Sequence, residues 1–117
     1  LKKTRAAGIE TTGFFMLGMP QETEQDFEDT LHFALEADLS LASIGGITLY
    51  PGTSLFDTNK HLIEFSLFPY VNHFKDIAVE ERYLQWEKKF YNAFFRRPSY
   101  LWKLAKEYGS KPMPVYE

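Results

Sequence analysis

Residues 11–23 read TTGFFMLGMPQET, and the reading of this stretch decides the fold. Phe14, Phe15, Met16 and Leu17 form an apolar run that stops at Gly18. Met19-Pro20-Gln21-Glu22 then turns the chain, and Thr23 opens an acidic stretch with periodic apolar residues. This is a strand that ends abruptly and hands over to a helix. Over 12–17 the run is continuously apolar rather than alternating, which predicts a parallel strand buried on both faces. In parallel α/β folds, ligands bind beyond the C-terminal ends of the strands.

Downstream of the turn, Thr23 is suited to cap a helix, with Glu24 and Asp26 in its first turn. Phe27, Leu31, Ala34 and Leu35 follow the i, i+4, i+7, i+8 spacing of one core-facing stripe, which carries the helix to about residue 37. Residues 41–50, LASIGGITLY, read as a second strand. Gly45 and Gly46 inside it predict a bulge, or close approach by a ligand or another backbone. Pro51-Gly52-Thr53 breaks that strand sharply. Upstream, LKKTRAAG reads as the second half of a helix ended by Gly8, with Ile9 making the accompanying hydrophobic contact. Residues 1–55 are therefore expected to form helix end–strand–helix–strand, a parallel βαβ unit with a right-handed crossover.

The rest, residues 56–117, is expected to be a helical C-terminal extension packing on that unit, and it holds most of the aromatic residues. Residues 62–74, with Pro69 and Asn72, look irregular, with room for a short hairpin or helical turn. Residues 76–95 form a strong helix with Val79, Tyr83, Trp86, Phe90 and Phe94 on one face. Pro98 starts a last helix that runs to Tyr108 and ends at Gly109, and residues 110–117 form a frayed tail. Two parallel strands alone are a poor core with open edges, so the aromatic helices are expected to pack back on 14–17.

The totals exclude several functions. The chain has 117 residues, a net charge of −3 and no cysteine. That rules out disulfides, thiolate catalysis and cysteine-held metal within it. It offers no general attraction to nucleic acid, and its apolar runs fall far short of the ~20 residues of a membrane span. A cytoplasmic setting fits. Charge is uneven: acids dominate from Glu10 to Asp38 and bases from Arg82 to Lys111. The plainest reading is two solvated faces; the other is a basic surface for phosphate or a partner. Asp26, Glu28 and Asp29 read as a solvated helix face, and His32 sits on that polar side. His61, Glu64 and His73 have a spacing that can hold a metal, but three scattered histidines are thin support for one. Arg96 and Arg97 either face an anion or lie over the aromatics.

Two stretches remain as candidate sites. At Gly18, Met19, Pro20, Glu22 and Thr23, glycine lets a flat group approach the backbone, proline fixes the turn, and Glu22 can accept hydrogen bonds from an amino group or ribose. The same residues also suit a purely structural βα turn with Glu22 as a helix-start carboxylate. Tyr50, Pro51, Gly52 and Thr53 form a second Gly/Pro turn at the same edge of a parallel sheet, or a simple strand stop. No residue stands out as catalytic.

Gly18-Met19-Pro20-Gln21-Glu22-Thr23 followed by Tyr50-Pro51-Gly52-Thr53-Ser54-Leu55 closely resembles radical S-adenosylmethionine enzymes. Their Gly-x-Pro-Gly-Glu-Thr turn closes the fifth strand of a (βα) barrel, and Pro-x-Pro-Gly-Thr-x-Leu follows the sixth. Arg5-Ala6-Ala7-Gly8-Ile9 resembles their helix-to-strand approach. Arg96-Arg97-Pro98-Ser99-Tyr100 is similar to a stretch in members with an upstream cobalamin-binding domain. Gln21 departs from the usual glycine, and Leu49 stands where the family often has a further proline. The resemblance implies a barrel fragment of α/β class whose N-terminal half lies outside this chain, together with the ligands of a 4Fe-4S cluster. It implies S-adenosylmethionine at Gly18, Met19, Pro20, Glu22 and Thr23, and a small-molecule substrate beside Tyr50, Pro51, Gly52 and Thr53. Cobalamin is implied by the tail alone. The implied chemistry is reductive cleavage to a 5′-deoxyadenosyl radical, or methyl transfer; the fragment alone is expected to be inert. Other readings are a non-catalytic capping module, and a piece of another barrel that binds phosphate at Gly18.

Overall fold

The structure, a computed structural model, describes residues 1–67 and 70–109. The frayed tail expected over 110–117 lies outside the described residues, as does Pro69. The elements are α1 (Lys2–Ala6), β1 (Thr12–Leu17), α2 (Glu24–Glu36), β2 (Leu41–Gly46), α3 (Ser54–Asn59), a 3-10 turn (Lys60–Leu62), β3 (Ile63–Leu67), β4 (Tyr70–Phe74), α4 (Ile77–Phe95) and α5 (Pro98–Tyr108). β1 and β2 pair in parallel from Thr12↔Leu41 to Leu17↔Gly46, and β3 and β4 form an antiparallel hairpin from Ile63↔Phe74 to Leu67↔Tyr70. The two sheets are separate, and the strands close no barrel among the described residues.

Local chemistry explains most boundaries. α1 ends in a Schellman arrangement: Gly8 takes φ +76°, its N–H donates to Arg5 O, and Ile9 N–H donates to Thr4 O. α2 begins with a capping box in which Thr23 accepts from Asp26 N–H and the Asp26 carboxylate accepts from Thr23 N–H. Asp76 caps α4 through Ala78 N–H, and Pro98 occupies the first turn of α5, where its missing N–H costs nothing.

The main core joins Leu17 of β1, Phe27, Leu31 and Ala34 of α2, Ala42 and Ile44 of β2, and Trp86, Phe90 and Phe94 of α4. Trp86 stacks on Phe27 with ring centroids 5.2 Å apart, and Phe90 meets Phe15 at 5.3 Å. Both α2 and α4 thus cover one face of the β1–β2 sheet. Gly13 belongs to this packing, because a Cβ there would lie 2.4 Å from Leu39 Cδ1. A smaller core of Leu49, Phe56 and Ile63 ties α3 to the hairpin.

Three expectations need correction. β1 is not buried on both faces: its burial alternates, and Phe14 and Met16 are 84% and 67% exposed. The helices sit on the Phe15–Leu17 side only, so α4 packs on Phe15 and Leu17 but leaves Phe14 and Met16 bare. β2 ends at Gly46 rather than at Tyr50, although Ile47 N–H still donates to Leu17 O at 2.7 Å. Gly45 and Gly46 make no bulge; they stay in regular register, with open space where side chains would be. The irregular 62–74 segment resolves into the helical turn and hairpin, and α3 is an element the sequence reading did not contain.

The edge of β2 away from β1 is occupied. Leu41 and Ile47 donate to β1, so by alternation Ile44 turns its N–H and C=O outward. The Tyr91 hydroxyl meets both, accepting from Ile44 N–H at 3.3 Å and donating to Ile44 O at 3.0 Å. Tyr91 therefore takes the place a further strand would have at this point.

Phe90 is fully buried and Phe14 is not. In urea denaturation, Phe90→Ala is expected to lower stability by about 3–5 kcal/mol, whereas Phe14→Ser should change it by no more than about 0.5 kcal/mol. Comparable losses from both would overturn the one-sided placement of the core.

Candidate functional site

The turn after β1 is built tightly. Glu22 N–H donates to Met19 O at 2.9 Å, with Pro20 and Gln21 at the two central positions. Gln21 has φ +73°, the left-handed value that a type II turn requires at its second central residue. This is the position where the resembled motif carries glycine. Gly18 also has a positive φ, +88°. The space beside it is bordered by Ile47 Cγ2 at 3.5 Å and Tyr83 Cδ2 at 3.7 Å, so it is backbone conformation rather than crowding that calls for glycine.

Glu22 is the clasp of this turn. Its Oε2 accepts from Gly18 N–H at 2.5 Å and from Met19 N–H at 3.2 Å. Thr23 N–H goes to Asp26, and the Thr23 hydroxyl donates to the same carboxylate oxygen at 2.6 Å. The amides of Gly18, Met19 and Thr23 are thus taken up by carboxylates of the chain itself. For a phosphate at Gly18 the amides of Gly18 and Met19 are already engaged, and the charges of Glu22, Glu24 and Asp26 disfavour an anion. The charge of this rim suits a cation or a neutral group instead.

The second turn repeats the plan. Pro51 and Gly52 occupy the central positions, Gly52 at φ +88°, and Thr53 N–H donates to Tyr50 O at 3.3 Å. Thr53 then caps α3 by accepting from Phe56 N–H at 3.2 Å. Both turns follow the C-terminal ends of parallel strands, but they do not share a cavity. A cavity of about 170 Å³ at this edge is lined by Gly18 together with Gly46, His73, Glu80, Tyr83 and Glu87, among others, and by none of Met19, Pro20, Glu22, Thr23, Tyr50, Pro51, Gly52 and Thr53.

Tyr83 is the site neighbour that sequence reasoning missed, having placed it among packing aromatics. Its hydroxyl donates to Met19 O at 3.3 Å, tying α4 to the turn. Burial pushes the Tyr83 phenol up, against the pull of Arg82, and the Glu22 and Glu80 charges push the same way as burial. The helical spacing that revealed its core face could not reveal the reach of its hydroxyl. Of the metal candidates, His73 Nε2 pairs with Glu64 Oε2 at 3.2 Å across the hairpin, while His61 contributes its carbonyl to Lys75. No group of three His, Asp or Glu that could hold a metal lies together among the described residues. No described helix is long and apolar enough to cross a membrane.

No protein-family model matches this chain, and no solved structure matches it. An uncharacterized methyltransferase of Pyrococcus horikoshii is 29% identical to it over 114 residues, which takes in 88% of this chain and 24% of the relative. The chain thus spans about a quarter of the length of the curated relative it matches.

Two outcomes test this geometry. Gln21→Gly should raise stability by about 1 kcal/mol in urea denaturation, by removing a side chain from a left-handed position; no gain would mean that the turn does not hold Gln21 there. The second concerns Asp26, whose carboxyl is held below its ordinary value first by the Thr23 hydroxyl and then by the Thr23 amide. A carboxyl depressed in the folded state binds fewer protons there than in the unfolded chain, so its stabilising contribution is complete above the unfolded value and is lost as pH falls through the folded one. Asp26→Asn should accordingly flatten the stability profile below about pH 4 and leave its slope near neutrality unchanged. An acid limb identical to the parent's would remove Asp26 from the cap.

Proposed function

We propose that this chain works as the C-terminal part of a radical S-adenosylmethionine methyltransferase, supplying surface on the adenosine and substrate side. The observation that carries this reading is the bare face of the β1–β2 sheet. Phe14 and Met16 stand exposed on it, with Gly45 opposite Met16 and open space over that glycine. Helices cover the other face, Tyr91 caps the outer edge of β2 at Ile44, and no described strand pairs with the other edge of β1. Such a sheet suits the last two βα units of a barrel, with an apolar inner wall and a turn at the rim. The similarity to part of a methyltransferase supports the same reading.

Each side chain then has a task. Glu22 holds the rim turn shut through Gly18 and Met19, and its charge, with those of Glu24 and Asp26, favours a sulfonium and an ammonium over an anion. Phe14 and Met16 exclude water from one wall. Tyr50, Pro51, Gly52 and Thr53 stand on the substrate side. S-adenosylmethionine, when bound, supplies the methyl group or, after reductive cleavage, the radical. The chain has no cysteine, so the ligands of a 4Fe-4S cluster belong to residues that precede it, and a cobalamin-binding domain, where one is used, belongs there too.

Titration of the chain with S-adenosylmethionine, followed by amide chemical shifts, is the direct test. Shifts should concentrate at Gly18, Met19, Gln21, Glu22 and Thr23, saturate weakly, and diminish in Met16→Lys. The chain alone should not cleave the cofactor under reducing conditions after iron–sulfur reconstitution. Unmoved resonances at those residues, or cleavage by the chain alone, would overturn the reading. So would a parent gene product with no Cys-x-x-x-Cys-x-x-Cys upstream of Leu1.

A further inference from the structure

The opposite edge of the sheet, where β1 and β2 begin, holds a second cleft of about 200 Å³, lined by Arg5, Glu10, Asp38, Arg97, Ser99 and Lys103, among others. Its charge is unbalanced. Arg5 is paired with Asp38, through both the side chain and the carbonyl. Lys103 is paired with Glu10 at 2.9 Å. Arg97 Nη2 donates to Leu39 O, and the nearest carboxylate to it is the same Asp38, 3.9 Å away. Two arginines thus draw on one carboxylate.

Arg97 is held where this matters. Only 11% of its side chain is exposed. Its guanidinium lies 3.9 Å from the centroid of the Phe94 ring, and its Nε and Nη1 are buried without an acceptor. Burial, and then the Arg5 charge, pull the Arg97 guanidinium below its ordinary value. A largely buried cation whose nearest carboxylate is already paired with another arginine is a costly feature, and a counter-charge in the adjoining cleft offsets that cost by Coulomb attraction. Arg97 also stands at the N-terminus of α5, a helix of 11 residues with no side-chain cap and no acid in its first turn. Pro98 has no N–H and Tyr100 N–H returns to Arg97 O, which leaves the Ser99 amide as the first-turn donor beside the cleft.

We propose that this cleft binds a small oxyanion, phosphate or carboxylate, between Arg97, Lys103 and the first turn of α5. The anion supplies the charge that Asp38 cannot give to both arginines. It lies against the part of Arg97 that lines the cleft, with the Ser99 amide and hydroxyl and the Lys103 ammonium around it. The site lies at the far end of the strands from Gly18, so it stands or falls independently of the proposed S-adenosylmethionine surface.

The test is an amide-shift titration of the chain with inorganic phosphate, with sodium acetate in a second arm and ionic strength held constant with chloride in both. Saturable shifts centred on Ser99 and Tyr100 are expected, and the arm that saturates at lower concentration identifies the preferred oxyanion. Lys103→Met should weaken binding about tenfold, the loss of one charge-assisted contact, and Arg97→Lys should weaken it at least as much. Where Arg97→Lys fails to fold, Lys103→Met decides alone. Shifts equal to those of chloride, or undiminished affinity in Lys103→Met, would overturn the proposal.

Discussion

Everything in this chain depends on the aromatic face of α4 lying flat against two parallel strands. A two-stranded parallel sheet cannot sustain itself, because each strand presents two faces and one unpaired edge. Trp86, Phe90 and Phe94 bury one face together with Phe27 and Leu31 of α2. Ring contacts run along the helix, stacked at Phe27–Trp86 and Phe90–Phe94 and tilted at Phe15–Phe90. Tyr91, one residue on from Phe90, reaches the backbone of Ile44 instead. A single helix therefore covers a sheet face with one set of side chains and a sheet edge with another. The face it leaves open is the one that carries the functional reading.

Sequence periodicity made the helices legible. The stripe of Phe27, Leu31 and Ala34 and the row of Trp86, Phe90 and Phe94 are the buried positions of α2 and α4, and Gly8 closes α1 as its type suggested. Strand burial was less legible. An apolar run such as Phe14-Phe15-Met16-Leu17 tells that both faces of a strand are intended for apolar surroundings. It does not tell whether this chain provides both. Here it provides one, and alternation appears in the burial although it is absent from the sequence. β2 misled for a related reason: Ile47, Thr48, Leu49 and Tyr50 have strand-forming side chains, but no strand of the described residues runs alongside them. The α3 helix escaped because Ser54-Leu55-Phe56-Asp57 is too short to show a period. Its signal was Thr53, whose capping role was hidden by its place in a turn motif.

The candidate rim shows what motif reading can and cannot reach. The residue types at Gly18, Pro20, Glu22 and Thr23 define a turn, and the coordinates bear that turn out down to the positive φ at Gln21. What the types do not reveal is that Glu22 spends one carboxylate oxygen on its own backbone. That bond changes the electrostatic sense of the junction. A helix N-terminus attracts anions, but here Glu22, Glu24 and Asp26 surround it with negative charge. The first turn of α5, by contrast, carries no acid.

The uneven charge along the sequence takes its meaning from the same arrangement. The acids of the first third and the bases of the last third meet across the fold: Glu28 with Lys89, Glu10 with Lys103, Asp38 with Arg97. Pairing with Glu28 raises the Lys89 ammonium above its ordinary value, as a cation gaining an acceptor should. These contacts are too exposed to hold the molecule together, which the aromatic core does. They do link the C-terminal helices to the βα unit at three points. At the Asp38 contact the pairing runs short by one carboxylate, because Arg5 has claimed it. Where the charges of the two thirds meet, Lys89 and Lys103 each have a carboxylate of their own, whereas the largely buried Arg97 shares one with Arg5, and that shortfall beside the start of α5 is where an anion from outside would fit.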